Sequence, residues 1–105
     1  MARFDVYANH GIHAKTTPYL LDVQSNLLDD LDSRVVIPLR SLQKFPTVNL
    51  PARLTPIITI DRNEFLLETP KMAAVPKRVL RSPVTSLKNV QNEITGALGF
   101  LFCGF

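Results

Sequence analysis

The chain ends in Leu87-Lys-Asn-Val-Gln-Asn-Glu-Ile-Thr-Gly-Ala-Leu-Gly-Phe-Leu-Phe-Cys-Gly-Phe105, the only long stretch with helical periodicity. At about 100° per residue its apolar side chains fall on one stripe, which is typical of a helix that packs one face on a core. We therefore predict a C-terminal α-helix from about Leu87 to Cys103. The stripe consists of Leu87, Val90, Ile94, Ala97, Leu98 and Leu101.

The opposite face of this predicted helix carries small uncharged residues where a solvated helix normally has lysine and glutamate. Its members are Asn92, Gly96, Gly99 and Cys103. Two interior glycines cost about 0.8–1.0 kcal/mol each relative to alanine, and close approach of a partner is one reason to keep them. We interpret this face as a docking surface. The alternative is a helix that frays near Gly96 into a coiled tail.

The rest of the chain consists of short strand-like segments separated by turn residues. Pro38 within the third segment predicts an edge strand or a bulge, and Ser41–Thr55 predicts an excursion of short, edge-like strands. Short strands with one terminal helix favour a mainly β fold, a small antiparallel barrel. The predicted strands are Arg3–Ala8, Tyr19–Gln24, Arg34–Leu39, the hairpin pair Ile57–Ile60 and Glu64–Glu68, and Ala73–Leu80.

Length and composition indicate one soluble globular domain. The chain has 105 residues, which is enough for a hydrophobic core. Of these residues 46% are hydrophobic and 20% are charged, a composition that does not suit an intrinsically disordered protein. No signal-peptide pattern opens the sequence, and the apolar tail is too short to cross a bilayer, which takes about 20 residues. A single cysteine fits a reducing compartment. We therefore expect a cytoplasmic protein without a membrane partner.

The chain carries a net charge of +3, and a group of its basic residues lies in one part of the sequence. Aromatic residues are not interleaved with these charges, as stacking on exposed bases requires, so a solvated basic face or an acidic protein partner is favoured over nucleic acid. The basic residues are Lys71, Lys77, Arg78, Arg81 and Lys88.

No motif for catalysis, metal binding or a cofactor is present. His10, His13 and Cys103 are the only soft metal ligands, and a closed zinc site usually needs four. Asp29, Asp30 and Asp32 lack the glycine and the distal glutamate of a calcium loop. We expect no catalytic residues, no metal and no cofactor.

Five short motifs together resemble the CcdB family, toxins of plasmid-type toxin–antitoxin pairs. The resemblance runs nearly end to end and implies an SH3-like barrel with an inserted small sheet and a C-terminal helix, assembled as a symmetric homodimer. The motifs are Asp22-Val-Gln-Ser25, Val36-Ile-Pro-Leu39, Pro56-Ile-Ile-Thr-Ile60, Met72-Ala-Ala-Val-Pro76 and Phe102-Cys-Gly-Phe105.

The resemblance also implies a non-enzymatic DNA gyrase inhibitor of a type II toxin–antitoxin system, with a role in plasmid maintenance. Such a topoisomerase poison binds the A subunit of DNA gyrase and traps the covalent gyrase–DNA cleavage complex. A disordered CcdA antitoxin neutralises it. DNA is then a partner only indirectly, through gyrase or the antitoxin complex.

The antitoxin contacts are expected at Arg78 and Arg81, because the basic region that contains them suits an acidic antitoxin segment. The gyrase contacts follow from the resemblance by position. Two gyrase positions depart from the family pattern: Cys103 stands in place of a tryptophan and Gly99 in place of an asparagine. We expect Phe102 and Phe105 to supply the lost apolar contact. The implied gyrase-binding residues are Ser25, Leu27, Leu28, Gly99, Phe102, Cys103, Gly104 and Phe105.

Two other functions stay open at this point. MazF/Kid endoribonucleases share a similar barrel and dimer, and a basic surface suits RNA, although both histidines fall in an early loop without an evident acid/base partner. The missing tryptophan is also compatible with an inactive relative that only binds antitoxin.

Overall fold

The computed structural model describes residues 2–43 and 51–104. Within them, seven antiparallel strands form one curled half-barrel sheet, and a single α-helix follows. The predicted mainly β fold with one C-terminal helix is therefore confirmed. The elements are β1 (Asp5–Ala8), β2 (Tyr19–Asp22), β3 (Ser33–Ser41), β4 (Ile57–Ile60), β5 (Asn63–Leu67), β6 (Ala73–Pro76), β7 (Thr85–Ser86) and α1 (Gln91–Cys103).

Strand β3 is the central strand of the sheet, and two different strands pair with successive parts of one of its edges. We call the point between these two partners the fork. The sheet order is β4-β5-β3-β2-β1-β7, and β6 also pairs with β3. On that shared side β6 pairs with residues 33–36 of β3, and β5 pairs with residues 39–41. The hairpin β4–β5 is thus an extension of the main sheet.

Pro38 lies at the fork and not on an edge strand. The register of β3 with β2 continues past it, so the predicted edge position or bulge is wrong. The backbone N–H of Glu68 donates to the Pro38 carbonyl oxygen at 3.0 Å, so the backbone polar atoms of Pro38 face the side where β6 has ended and β5 has not begun. The missing N–H interrupts no ladder there, which explains why proline is tolerated.

Helix α1 packs on the sheet with the predicted apolar stripe. Ile94 and Ala97 are fully buried, and Leu87 is buried just before the helix. The helix begins at Gln91 instead of near Leu87 because residues 88–90 form a 3₁₀ turn. The same core contains Phe4, just before β1, and the sheet residues Val6, Leu21, Ile37, Leu39 and Phe65.

The predicted hairpin is confirmed, with a loop one residue shorter than expected. Asp61 and Arg62 alone connect β4 to β5, with φ of 51° and 68°, as a type I′ turn requires. The predicted last strand ends at Pro76 because residues 77–79 turn into a 3₁₀ helix. Of the expected excursion of short strands over Ser41–Thr55, residues 44–50 lie outside the described residues. In the described remainder Ser41 ends β3, and residues 42–43 and 51–55 form no strand, so the expectation is wrong there.

Candidate functional site

The first group of predicted gyrase contacts lies on a 3₁₀ turn, Asn26–Leu28, between β2 and β3. We call it the leucine turn. Ser25 caps its start, with the Oγ atom accepting a hydrogen bond from the Leu27 N–H at 3.2 Å. Leu27 is 94% exposed and Leu28 is 49% exposed. Large aliphatic side chains at such exposure mark a surface that can contact a partner.

A buried amide holds the base of the leucine turn. Gln24 is 7% exposed, and its Nε2 donates to the carbonyl oxygens of Leu28 and Ser33, each at 3.1 Å. Its Oε1 accepts from the Val35 N–H at 3.0 Å. The Gln24 side chain thus joins the turn to the start of β3. Its amide nitrogen and oxygen are both hydrogen-bonded, as buried polar atoms normally are.

A buried guanidinium lies beside this amide. The Nη2 of Arg34 is 2.7 Å from Oδ2 of Asp22, and both side chains are fully buried. The same guanidinium donates to the Gln24 carbonyl oxygen at 3.3 Å and to Oδ1 of Asp29 at 3.1 Å. The Nζ of Lys77 donates to the backbone carbonyl oxygen of Asp29 and lies 3.6 Å from its Oδ1. Asp29 is therefore in contact with two basic side chains, Arg34 on β3 and Lys77 after β6.

Burial dominates the electrostatics of this network. Desolvation raises the pKa of the Asp22 carboxyl above its ordinary value, and the hydrogen bonds from Arg34 and the Gln24 backbone oppose that rise. Burial likewise raises the pKa of the Tyr7 hydroxyl, and the charges of Asp5 and Asp22 add to the shift.

The sequence interpretation did not include this polar base. Asp22 interrupts an apolar strand segment and Arg34 directly precedes one, and that signal predicts a buried pair once the strands are known to be neighbours. The register places Asp22 opposite Val36, two residues from Arg34 on the same face of β3.

The second group of predicted contacts lies at the C-terminal end of α1. Phe102 is 70% exposed, and Cys103 and Gly104 are also exposed, whereas Gly99 is partly buried. Gly104 adopts a left-handed φ of 80° and its N–H donates to the Phe100 carbonyl oxygen at 2.9 Å, a glycine cap that ends the helix. Phe105 lies outside the described residues.

The small-residue face of α1 is open, as the sequence predicts. Asn92, Gly96 and Cys103 are exposed, and an added Cβ at Gly96 meets no atom within 4 Å. Nothing in the described part of one chain therefore accounts for glycine at this position by close packing.

The described structure does not bring the two groups of predicted contacts together in one chain. Among the described residues, α1 packs on the 3₁₀ turn Thr69–Lys71 and on the turn before it, and it makes no extensive contact with the leucine turn. The elements that carry the two groups therefore do not pack closely on each other within the chain.

The predicted antitoxin contacts are available on the surface. Arg78 and Arg81 are exposed, and neither has a hydrogen bond or ion pair with another described residue. The neighbouring basic residues differ, because Lys77 is bound to Asp29 and Lys71 lies 3.4 Å from Glu68. The basic region is thus partly neutralised within the chain.

A cavity of about 520 Å³ lies between the loop after β1 and the end of β5. His13, Arg40, Glu68 and Lys71 line it. The Glu68 carboxylate is shared by Arg40 at 3.2 Å and Lys71 at 3.4 Å. The structure thus places His13, which the sequence left alone in a loop, in the same cavity as an arginine and a carboxylate.

Two further features of residues 2–43 and 51–104 concern metal binding and membrane insertion. No cluster of three or more histidine, cysteine, aspartate or glutamate side chains in this part of the chain is arranged to hold a metal ion. No helix there is long and apolar enough to span a membrane.

Comparison with protein families gives one match that covers nearly the whole chain. The family model described as "CcdB protein" matches residues 3–104. The match includes the leucine turn, the polar base beneath it and α1.

Proposed function

The chain belongs to the CcdB family, toxins of toxin–antitoxin systems, and we propose that it acts by binding the A subunit of DNA gyrase and trapping the gyrase–DNA cleavage complex. In this proposal the contacts are the leucine turn and the end of α1. The protein acts as a stoichiometric ligand and not as an enzyme, and it needs no cofactor.

The observation that carries this proposal is the exposure of Leu27 and Phe102. Both are large hydrophobic residues that lie largely in solvent in one chain. They occupy two positions at which the family resemblance implies gyrase contact, on two different elements. A few residues carry most of the binding energy of an interface, and exposed large apolar side chains mark a surface that a partner can bury.

Phe102 takes over the anchoring role that a tryptophan has in the family pattern. Cys103 is exposed, but its small side chain cannot fill an aromatic pocket or stack on an arginine. Phe102 is adjacent and presents a phenyl ring to solvent. We assign the main apolar contact of this end to Phe102 together with Phe105.

A homodimer is part of the proposal because the end of α1 and the leucine turn do not pack on each other within one chain. A two-fold axis repeats each patch, so the leucine turn of one protomer and the α1 end of its partner can form one composite surface. Such a surface matches a target that is itself two-fold symmetric. Sedimentation of the purified chain, alone and with gyrase, measures the stoichiometry directly.

A CcdA antitoxin is the proposed regulator, and Arg78 and Arg81 are its proposed contacts. These exposed cations have no described carboxylate partner, which leaves them able to pair with acidic residues of a segment that folds on binding. Release of gyrase then follows if the antitoxin competes for the toxin.

The experiment that tests the gyrase proposal is a cleavage assay. Purified protein, gyrase, supercoiled plasmid and ATP are incubated and then treated with detergent and protease. We expect linear plasmid, because a trapped covalent intermediate is released as a double-strand break. No linear plasmid from a folded protein would rule out the poison mechanism and leave antitoxin binding as the function to test.

An endoribonuclease is the second candidate, and the cavity lined by His13, Arg40 and Glu68 favours it. A histidine, a cation and a carboxylate are the groups that general acid–base cleavage of a phosphodiester uses. The carboxylate is however already shared by Arg40 and Lys71, so the gyrase proposal ranks first. Single-stranded RNA in a parallel incubation decides: cut RNA that His13→Ala abolishes would move the chain to the nuclease class.

A further inference from the structure

We propose that Asp29 is a positioning residue that holds the leucine turn in its binding geometry. This inference rests on the proposed function in taking Leu27 and Leu28 as partner contacts. Asp29 is the residue that ends the turn, and its N–H donates to the Asn26 carbonyl oxygen at 3.3 Å. It therefore follows the contacts directly in the chain.

Two cations hold Asp29 from different elements. Nη1 of Arg34, on β3, donates to Oδ1 of Asp29 at 3.1 Å, and Lys77, after β6, binds the backbone carbonyl oxygen and the carboxylate of the same residue. Arg34 is in turn fixed by its buried pair with Asp22. The Asp29 side chain thus ties the end of the turn to β3, in addition to the hydrogen bond that the Gln24 amide makes to the Leu28 carbonyl oxygen.

Such a tie matters because the leucine turn has little packing of its own. Leu27 is almost fully exposed, so the backbone alone determines where its side chain lies. A single 3₁₀ turn is too short to be stable by itself. When a partner binds, any freedom left in the turn must be lost, and that loss weakens affinity.

The neighbouring residue offers a matched control. Asp30 carries the same charge, is exposed and lies in the same connection, and it has no hydrogen bond or ion pair with another described residue. Asp29→Ala and Asp30→Ala therefore change the net charge equally, but only the first removes the carboxylate that Arg34 and Lys77 contact, while the hydrogen bond from Lys77 to the backbone carbonyl oxygen at that position is kept. Asp29→Asn keeps an oxygen for Arg34 and serves as the conservative rescue.

The test combines a binding measurement with a measurement that does not involve gyrase. We expect Asp29→Ala to raise the Kd for the gyrase A subunit about tenfold, with Asp30→Ala unchanged and Asp29→Asn close to wild type. We expect ¹⁵N order parameters of the Leu27, Leu28 and Leu31 amides to fall from the rigid range of about 0.85 towards about 0.6 in Asp29→Ala alone.

Equal Kd values, or equal order parameters, for Asp29→Ala and Asp30→Ala would overturn the inference. If the wild-type chain does not bind gyrase, the proposed function is wrong, and the order parameters still decide whether Asp29 positions the turn. If Asp29→Ala does not fold, Lys77→Met takes its place with Lys77→Arg as the rescue, and the same two readouts apply.

Discussion

Arg34 and Asp22 form an ion pair that is completely closed to solvent, with 2.7 Å between Nη2 and Oδ2 and 2.8 Å between Nε and the same oxygen. Removing Asp22 leaves the buried Arg34 with Asp29 as its remaining carboxylate partner. The pair therefore differs from the contact between Lys71 and Glu68, in which the Lys71 side chain is 65% exposed and Glu68 keeps Arg40 as a partner when Lys71 is removed.

Asp22→Ala should destabilise the fold by about 3–5 kcal/mol, because it leaves a guanidinium buried without its main counter-ion. Lys71→Ala should change stability by less than about 1 kcal/mol. Urea unfolding of both variants measures the contrast. A cost of similar size for the two would show that the Arg34 charge finds another partner or water.

Arg62→Gly should stabilise the fold by about 0.5–1 kcal/mol. Arg62 has a φ of 68° in the two-residue turn between β4 and β5, a conformation that glycine adopts without strain. Glu64→Gly, two residues later in β5, is the control and should destabilise the fold, since glycine weakens a strand. Thermal unfolding separates the two effects by sign, and a lower Tm for Arg62→Gly would contradict the assignment.

Phe102→Ala should weaken binding to the gyrase A subunit about 30-fold, equivalent to about 2 kcal/mol, if the phenyl ring is an anchor. Its effect on folding should stay within about 0.5 kcal/mol because the side chain is mostly exposed. Ile57→Ala on strand β4 removes another exposed apolar side chain and should leave binding unchanged. Titration calorimetry gives the Kd values, and equal losses for both variants would argue against a specific anchor.

Neutralising the exposed arginines after β6, as Arg78→Gln with Arg81→Gln, should lower antitoxin affinity about tenfold at low ionic strength and flatten its dependence on salt. Lys15→Gln is the control, a single exposed cation in the loop after β1. Fluorescence anisotropy with a labelled antitoxin peptide at low and high salt gives both quantities. An unchanged salt slope would exclude these arginines from the contact.

Ile94→Ala should cost about 2–5 kcal/mol, since Ile94 is fully buried where α1 packs on the sheet. Thr95→Ala, on the exposed side of the same helix, is the matched control and should cost far less. Urea unfolding measures both. Similar losses would mean that α1 contributes little to the core.

Periodicity predicted the elements whose side chains repeat regularly. The spacing of Ile94 and Ala97 identified the buried face of α1, and two apolar runs separated by the polar residues 61–63 identified the hairpin. The leucine turn has only three helical residues and no period, and it depends on hydrogen bonds from the buried Gln24 amide that no periodicity in the sequence predicts. The pairing of Arg34 with Asp22 depends on strand register, which a single sequence does not contain.

The position of Pro38 also depends on strand pairing that a single sequence does not contain. The rule that places proline on edge strands concerns a lost ladder bond, and the sequence gives no sign that β5 and β6 share one side of β3. The tolerated position exists only because the two partners leave a gap there. The exposure of Leu27 and Phe102 was expected only from the family resemblance, because apolar residues are buried by default.

The fork in β3 has a kinetic consequence. Strand β3 is hydrogen-bonded to β2, which precedes it, and to β5 and β6, which follow it after a long connection. The chain must close these long loops before the shared strand gains its partners, and such non-local pairing slows folding to the millisecond-to-second range. The encounter of distant segments around β3, and not the formation of α1, should therefore limit the folding rate.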